Sequence, residues 1–343
     1  MWCVRSSPVV RRHAEGLVAY HRRVRRISPL LGVVGAALLL VASCSDSADP
    51  AGIATTTSRG PSTSVPVDTS VIASSTDTPT TTLPPVTAES IAIEITAAER
   101  GIRDVSVSEE SVAEFGRRQQ QAYRLLARNT DLQDAVTALI PADVAVAFAY
   151  NLAARQAVVD HAVAAPPVEP PSTLPAWTIV EPRPIDELLA HYQEAEAATG
   201  VRWEYLAAIN FVETRMGRIE GESSAGALGP MQFLPATWAA CCTGDIEDPR
   251  DAILGAAAYL VSRGAPGDMN AALYGYNPND GYVGSVTAYA ANLMADPMAY
   301  RGYHAWEVYV GSAAGTVRLP VGYASNVPID AFDYVRTHPD DTP

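Results

Sequence analysis

Two short stretches carry side chains whose types point to chemistry. In "AAINFVETRMG", Ala207 to Gly217, one carboxylate, Glu213, is set into an apolar run. In "LGPMQFLPATW", which begins at Leu228, an uncharged polar residue, Gln232, interrupts another. Phe211, Val212 and Met216 flank Glu213. Apolar flanks strip water from a carboxylate, disfavour its charged form and raise its pKa. An acid kept protonated near neutral pH can give its proton to a leaving oxygen. Taken alone, Glu213 also fits a solvated glutamate on a helix edge, and the neighbouring motifs are what weigh against that. Gln232 both donates and accepts hydrogen bonds, as recognition of a ligand rich in amides and hydroxyls requires. Ahead of it, "SSAGALG" places Ser223, Gly226 and Gly229, small residues that let backbone approach a bound polymer. A third stretch, "LYGYNPNDG", sets Tyr276 and Asn277 at a helix end, where Tyr276 can orient the acid or stack on a sugar.

The elements that must position these residues are mainly helical. "PIDELLAHYQEAEAATG" reads as a helix closed by Gly200, and "WEYLAAINFVETR" as a second that carries Glu213. "DPRDAILGAAAYLVSRG" starts with Asp248 as N-cap and Pro249 at the first helical position, and stops at Gly264. "MNAALYGY" is a short helix and "YVGSVTAYAANLM" the last long one, while "WEVYVGSAAGTVRLPVGY" alternates around an Ala-Gly turn as a β-hairpin. Upstream, Val112, Phe115, Tyr123 and Leu126 keep helical spacing behind Ser108 and Ser111, and a further helix begins at Pro141. The prolines of "APPVEPPSTLPAW" break the pattern and predict an extended connector.

Taken in order along the chain, these motifs resemble the soluble lytic transglycosylase domain of the lysozyme-like superfamily. The family's glutamate-serine pair corresponds to Glu213-Thr214. Its serine-x-x-glycine and glycine-leucine-methionine-glutamine runs correspond to Ser223 through Gly226 and to Gly229-Pro230-Met231-Gln232. Its alanine-tyrosine-asparagine corresponds to Gly275-Tyr276-Asn277. Thr214 keeps a hydroxyl where the family has serine, and Pro230 replaces leucine. The resemblance spans roughly Gly200 to Met294, under a third of the chain. It implies a mainly α, lysozyme-like helical catalytic domain with a small C-terminal β-hairpin, acting on peptidoglycan glycan strands. Glu213 would be the acid and base, and Ser223, Gln232, Tyr276 and Asn277 the substrate-binding groups. The product would be a 1,6-anhydro-muramoyl end. Because water is not the nucleophile, the usual second carboxylate is unnecessary.

Two other readings compete. A hydrolytic muramidase, as in the related goose-type lysozymes, needs a second carboxylate, for which Glu220, Glu222, Asp245, Glu247 and Asp248 are candidates. A noncatalytic wall-binding lipoprotein would keep the cleft but lose the glutamate, which is present. Either way no organic cofactor is implied. Four scattered cysteines and six scattered histidines give no metal pattern. Whether Cys241 and Cys242 bond to each other or remain thiols is left open.

Charge and composition frame the rest. The 343-residue chain has a formal net charge of −14 and no lysine, which excludes the clustered positive charge that a nucleic-acid partner requires. Residues 1–28 hold seven Arg and one Glu, followed by "SPLLGVVGAALLLVA", an apolar run short of the ~20 residues of a membrane span. It reads as an export signal. The run ends in "VASC", which resembles a bacterial lipobox with Cys44 as the lipidated residue and thus predicts a membrane partner through a lipid anchor. Without residues 1–43, which carry a net +6, the chain carries −20. The expected order is a signal at 1–43, a disordered Ser/Thr/Pro-rich linker at 44–86, and a helical region of unread function at 87–164. A connector at 165–182, the lysozyme-like domain with its hairpin at 183–323 and an acidic tail at 324–343 complete it.

Overall fold

The computed structural model describes residues 86–342. The expected export signal, Cys44 and nearly all of the Ser/Thr/Pro-rich segment lie outside them. Among the described residues no helix is long and apolar enough to cross a membrane.

The first helix, α1 (Ala88–Arg103), opens on a reciprocal capping box between Thr87 and Ser90. Its Ile91, Ile95 and Ile102 face inward with no more than 1 % exposure, the spacing of a single buried stripe. It pairs with α2 (Glu109–Arg128), which Ser108 caps. After α3 (Gln133–Leu139) comes α4 (Ala145–Ala164). The helix expected from Pro141 starts at Ala145, and the Asp143 carboxylate before it is engaged by Arg100 at 2.8 and 3.0 Å. Then follow α5 (Ile185–Thr199), closed by Gly200 at φ +78°, and α6 (Trp203–Thr214), which carries Glu213. Next are α7 (Pro235–Cys241), α8 (Pro249–Ser262), α9 (Met269–Tyr276), α10 (Asp280–Ala295) and α11 (Ala299–His304). The fold is mainly α, as the helical periodicity predicts.

The strands are short. An extended segment holds β1 (Thr173–Leu174) and β2 (Thr178–Ile179). β2 pairs antiparallel with β3 (Ile219–Glu220), just beyond Glu213, and β1 pairs with β6 (Ile329–Asp330) near the C-terminus. The predicted hairpin is β4 (Val308–Ser312) against β5 (Gly315–Leu319), and α12 (Ala331–Thr337) follows β6. Leu174, Ile179, Val308, Val317, Leu319, Tyr323, Ala331 and Tyr334 form a small second core. The proline-rich connector and the C-terminal residues thus meet in one subdomain that buttresses the segment after Glu213.

The main core runs without a break from Ala88 to Trp306. Helix α10 packs against both α4 and α6. Two glycines bring α4 close: a Cβ at Gly281 would meet His161 Cβ at 2.6 Å, and one at Gly284 would meet Ala157 Cβ at 2.9 Å. At the crossing of the first helices lies a fully buried carboxylate, Glu99. Its Oε1 accepts from Tyr123 Oη at 2.7 Å and from Gln119 and Asn151 amides at 3.0 Å, and its Oε2 pairs with Arg103. Asn151 Oδ1 accepts from Tyr303 Oη, which accepts from Asn292 Nδ2 at 2.6 Å, while Trp306 Nε1 donates to Gln119 Oε1 at 2.9 Å. One network therefore ties α1, α2, α4, α10 and the segment around α11. Removing its side chain leaves three buried donors without their acceptor and takes one of the two carboxyl partners of Arg103, the other being Asp296. Glu99→Ala is expected to cost about 3–5 kcal/mol, read as a lowered midpoint in urea unfolding, against under ~0.5 kcal/mol for the exposed Glu110→Ala.

Candidate active site

Glu213 sits in the last turn of α6 and is 4 % exposed. The helix stops because the next three residues turn left-handed: Arg215 at φ +56°, Met216 at φ +64° and Gly217 at φ +82°. For the two non-glycine residues this conformation costs roughly 1–2 kcal/mol each. The surroundings hold them there. Arg215 N–H donates to Phe211 O at 3.2 Å and Met216 N–H to Asn210 O at 3.3 Å. The Arg215 guanidinium folds back over the Phe211 ring, 4.9 Å from its centroid, and donates to the Phe211 and Val212 carbonyls. Phe211 is itself locked by Tyr289, Tyr303 and Trp306, with ring centroids 4.8–5.0 Å away.

A second segment is latched onto this helix end. Thr214 Oγ1 donates to Pro230 O at 2.7 Å and accepts from Gly217 N–H at 3.0 Å, while Asn210 Nδ2 reaches the same Pro230 carbonyl at 3.3 Å. The threonine keeps the hydroxyl because that hydroxyl holds the Gln232 loop against the acid's helix. Leu228 and Phe233 exchange backbone hydrogen bonds at 2.9 Å, closing the loop. Gln232 sits at φ +51° with its amide nitrogen donated to Gly229 O at 3.0 Å. Gly229, at φ +72°, is required by the protein's own backbone: a Cβ there would come 1.9 Å from Ile246 O.

Ser223, 7 % exposed, has its hydroxyl oxygen accepting from Ala227 N–H at 3.0 Å and Ala225 N–H at 3.3 Å. It orders the loop. Tyr276 donates its hydroxyl to Met231 O at 2.6 Å, and its ring packs on Phe233 at 5.5 Å. Asn277 closes α9 through its own N–H, and its carbonyl accepts from Asn279 N–H at 2.8 Å. Tyr282, in the first turn of α10, lies parallel to Tyr276 with centroids 6.4 Å apart and planes within 3°. Sequence reasoning passed over Tyr282; the only signal for it is an aromatic residue six positions after Tyr276. Cys241 and Cys242 are joined by a disulfide at the end of α7.

The electrostatics follow from this packing. Burial pushes the Glu213 carboxyl up to about 8, opposed by the Tyr282 hydroxyl and by the Arg215 charge. Its place at a helix C-terminus acts in the same direction as burial, since the negative end of the helix dipole disfavours an anion. Neither Glu213 Oε2 nor Tyr282 Oη has a partner within hydrogen-bond geometry. Burial also pushes Tyr276 and Tyr282 well above the usual tyrosine range, with the Glu213 charge adding to both. The candidate second carboxylates, Glu220, Glu222, Asp245, Glu247 and Asp248, are all exposed, and none is among the groups acting on Glu213. Asp248 caps α8 and Asp245 Oδ1 accepts from Glu247 N–H at 2.9 Å. Glu220 and Glu247 line a groove of about 620 Å³ with Leu188, Met216 and Pro249, and Glu213 is not among its walls.

An acid held at about 8 when folded and near 4.5 when unfolded keeps its proton in the native state while the unfolded chain loses it. Folding therefore loses stability progressively from pH 4.5 to about 8, by on the order of a few kcal/mol. Glu213→Gln removes that titration. Its melting temperature is expected to exceed the wild type's at pH 8 and to converge on it toward pH 4, which a calorimetric pH series checks.

Comparison with known proteins agrees with this geometry. Residues 191–298 match the family model described as the transglycosylase SLT domain. A relative, the membrane-bound lytic murein transglycosylase F of Thiobacillus denitrificans, is 28 % identical over 151 residues, which are 42 % of this chain and 32 % of that protein. The chain thus spans about a third of the length of the relative it matches. No solved structure matches it significantly. Glu213, the Gln232 loop and the Tyr276 motif all lie inside residues 191–298, the part of the chain that is similar to the transglycosylase SLT domain.

Proposed function

We propose that this protein is a peptidoglycan lytic transglycosylase that cuts between N-acetylmuramic acid and N-acetylglucosamine with Glu213 as its one acid and base. The observation that carries this reading is a buried carboxyl, raised to about 8, with no carboxylate among the groups acting on it. Protonated at neutral pH, Glu213 gives its proton to the glycosidic oxygen as the bond to C1 breaks. The carboxylate so formed takes the proton of the muramoyl C6 hydroxyl, whose oxygen closes on C1. The proton returns to Glu213 and the product is a 1,6-anhydro end. A hydrolase of this kind needs a second carboxylate to work with a water on the other sugar face. Asp248 caps α8 and Asp245 accepts from the Glu247 N–H, and none of Glu220, Glu222, Asp245, Glu247 and Asp248 is among the groups acting on Glu213, which favours ring closure over hydrolysis. The amide oxygen of Gln232 and the side chain of Asn277 are the groups we assign to substrate hydroxyls and acetamides, with the Tyr276 ring as a wall. Ser223 contributes through its loop.

We propose in addition that Cys44 is lipidated and that the domain works at the outer face of the membrane, within reach of the cell wall. Intact-mass analysis of the membrane fraction should find the N-terminal Cys44 with its acyl chains, and a Cys44→Ala chain that stays equally membrane-bound would refute the anchor. For the activity, purified peptidoglycan is incubated with the chain lacking residues 1–43 and the released muropeptides are weighed. Anhydro ends from the wild type, none from Glu213→Gln, and release that declines as pH rises past about 8 are expected. Reducing ends would make the enzyme a muramidase, and silence from both proteins would favour a glycan-binding module.

A further inference from the structure

The motif resemblance directs attention to Tyr276 as the tyrosine that serves the acid. The structure points to a different one. Tyr276 has already committed its hydroxyl proton to the Met231 carbonyl at 2.6 Å. Tyr282 has not: its hydroxyl is buried and unpartnered, and it lies beside a carboxyl whose Oε2 is equally buried and unpartnered. Two such groups side by side in a native interior call for an explanation, since almost all buried polar atoms are satisfied.

We infer that Tyr282 is the positioning residue of this active site, its hydroxyl closing onto Glu213 Oε2 to hold the carboxylate after it has given up its proton. The inference rests on the reading of Glu213 as the acid. Three features pin Tyr282 for the task. Its N–H donates to the Asn279 cap at 3.0 Å, fixing the start of α10. The preceding Gly281 sits so close to α4 that a Cβ would meet His161 Cβ at 2.6 Å, so the backbone cannot drift away from that helix. Its ring is stacked parallel on Tyr276, which the Met231 carbonyl and Phe233 hold in turn. What remains free is a small approach of the hydroxyl to the carboxyl. Hydrogen bonds at catalytic acids are commonly long before substrate binds and shorten with it. A hydroxyl donated to a carboxylate favours the charged form, so Tyr282 assists the step in which Glu213 must be a base without preventing the step in which it must be an acid.

The charged and titratable groups around Glu213 are few. Arg215 lies beyond the end of α6, Tyr276 on α9 and Tyr282 on α10. One layer out, Tyr289 of α10 and Arg155 of α4 act on Arg215. Of these, Tyr282 alone contributes an uncommitted donor hydroxyl next to the carboxyl.

The test uses the exported chain with Tyr282→Phe and Tyr276→Phe, each alone and with Glu213→Gln. Tyr282→Phe keeps the ring stack and removes only the hydroxyl. It is expected to lower kcat by about tenfold or more, the usual scale for a hydrogen bond to a charged group, with KM little changed. It should also move the basic limb of the pH–rate profile upward, because the carboxylate loses its donor. Tyr276→Phe should leave that limb in place. A stability cycle gives a readout independent of catalysis. The melting-temperature loss caused by Tyr282→Phe should grow as pH rises through 8 in the wild-type background and stay constant in the Glu213→Gln background. An unmoved basic limb together with the same loss at every pH in both backgrounds would overturn the assignment and leave Tyr282 a packing residue. Should the wild type release nothing from peptidoglycan, the proposed activity fails, yet the stability cycle still decides whether Tyr282 serves Glu213.

Discussion

Two buried glutamates, treated in opposite ways, organise this protein. Glu99 is supplied with three donors from two other helices and a guanidinium from its own. Glu213 is equally deprived of water but has no partner in hydrogen-bond geometry for its Oε2. A buried carboxylate without donors is so costly that the group keeps its proton instead. The first glutamate therefore joins helices, and the second becomes an acid. The link between them is physical: the Glu99 network reaches Asn151 of α4 and Asn292 of α10, and α10 carries the tyrosine that lies beside Glu213.

That link changes the meaning of the helices before the matched region. They are continuous with the core of the matched residues, and α4 meets α10 closely enough to require glycine at two positions. The face of α10 that carries Tyr282 beside Glu213 is set from behind by a helix that the family match, 191–298, leaves out. The segment after Glu213 is braced in a similar way from the other side. The β2–β3 pair joins it to the extended connector, and that connector is pinned in turn to the C-terminal subdomain through β1–β6.

The site itself concentrates strain where precision is needed. Consecutive left-handed residues at Arg215 and Met216 are unfavourable and persist because cation–π, backbone and side-chain contacts all enforce them. Their effect is to end α6 within two residues of the acid and turn the chain so that Thr214 and Asn210 can both seize the Pro230 carbonyl. Acid and Gln232 loop thereby become one rigid unit. The family's serine position needs only a hydroxyl for this purpose, which is why threonine serves.

Much of this was legible in the linear chain. A lone carboxylate in an apolar run determined its own burial and the direction of its pKa, because both depend on local composition. Helical periodicity and cap residues such as Asp248 and Gly200 located the elements, and strand alternation located the hairpin, since those patterns report which face of a segment is apolar. What they cannot report is which partner that face meets. Tyr282 read only as the first residue of the last long helix. Ser223 read as a substrate contact, and its hydroxyl oxygen accepts from two N–H groups of its own loop. Gly229 read as room for a ligand until the Ile246 carbonyl was found against it. The pairing of Cys241 with Cys242 and the single core shared with residues 88–154 were likewise decided only by docking. Hydrogen-bond partners are chosen over separations of tens to nearly two hundred residues, and only tertiary packing sets the distances that make or deny them.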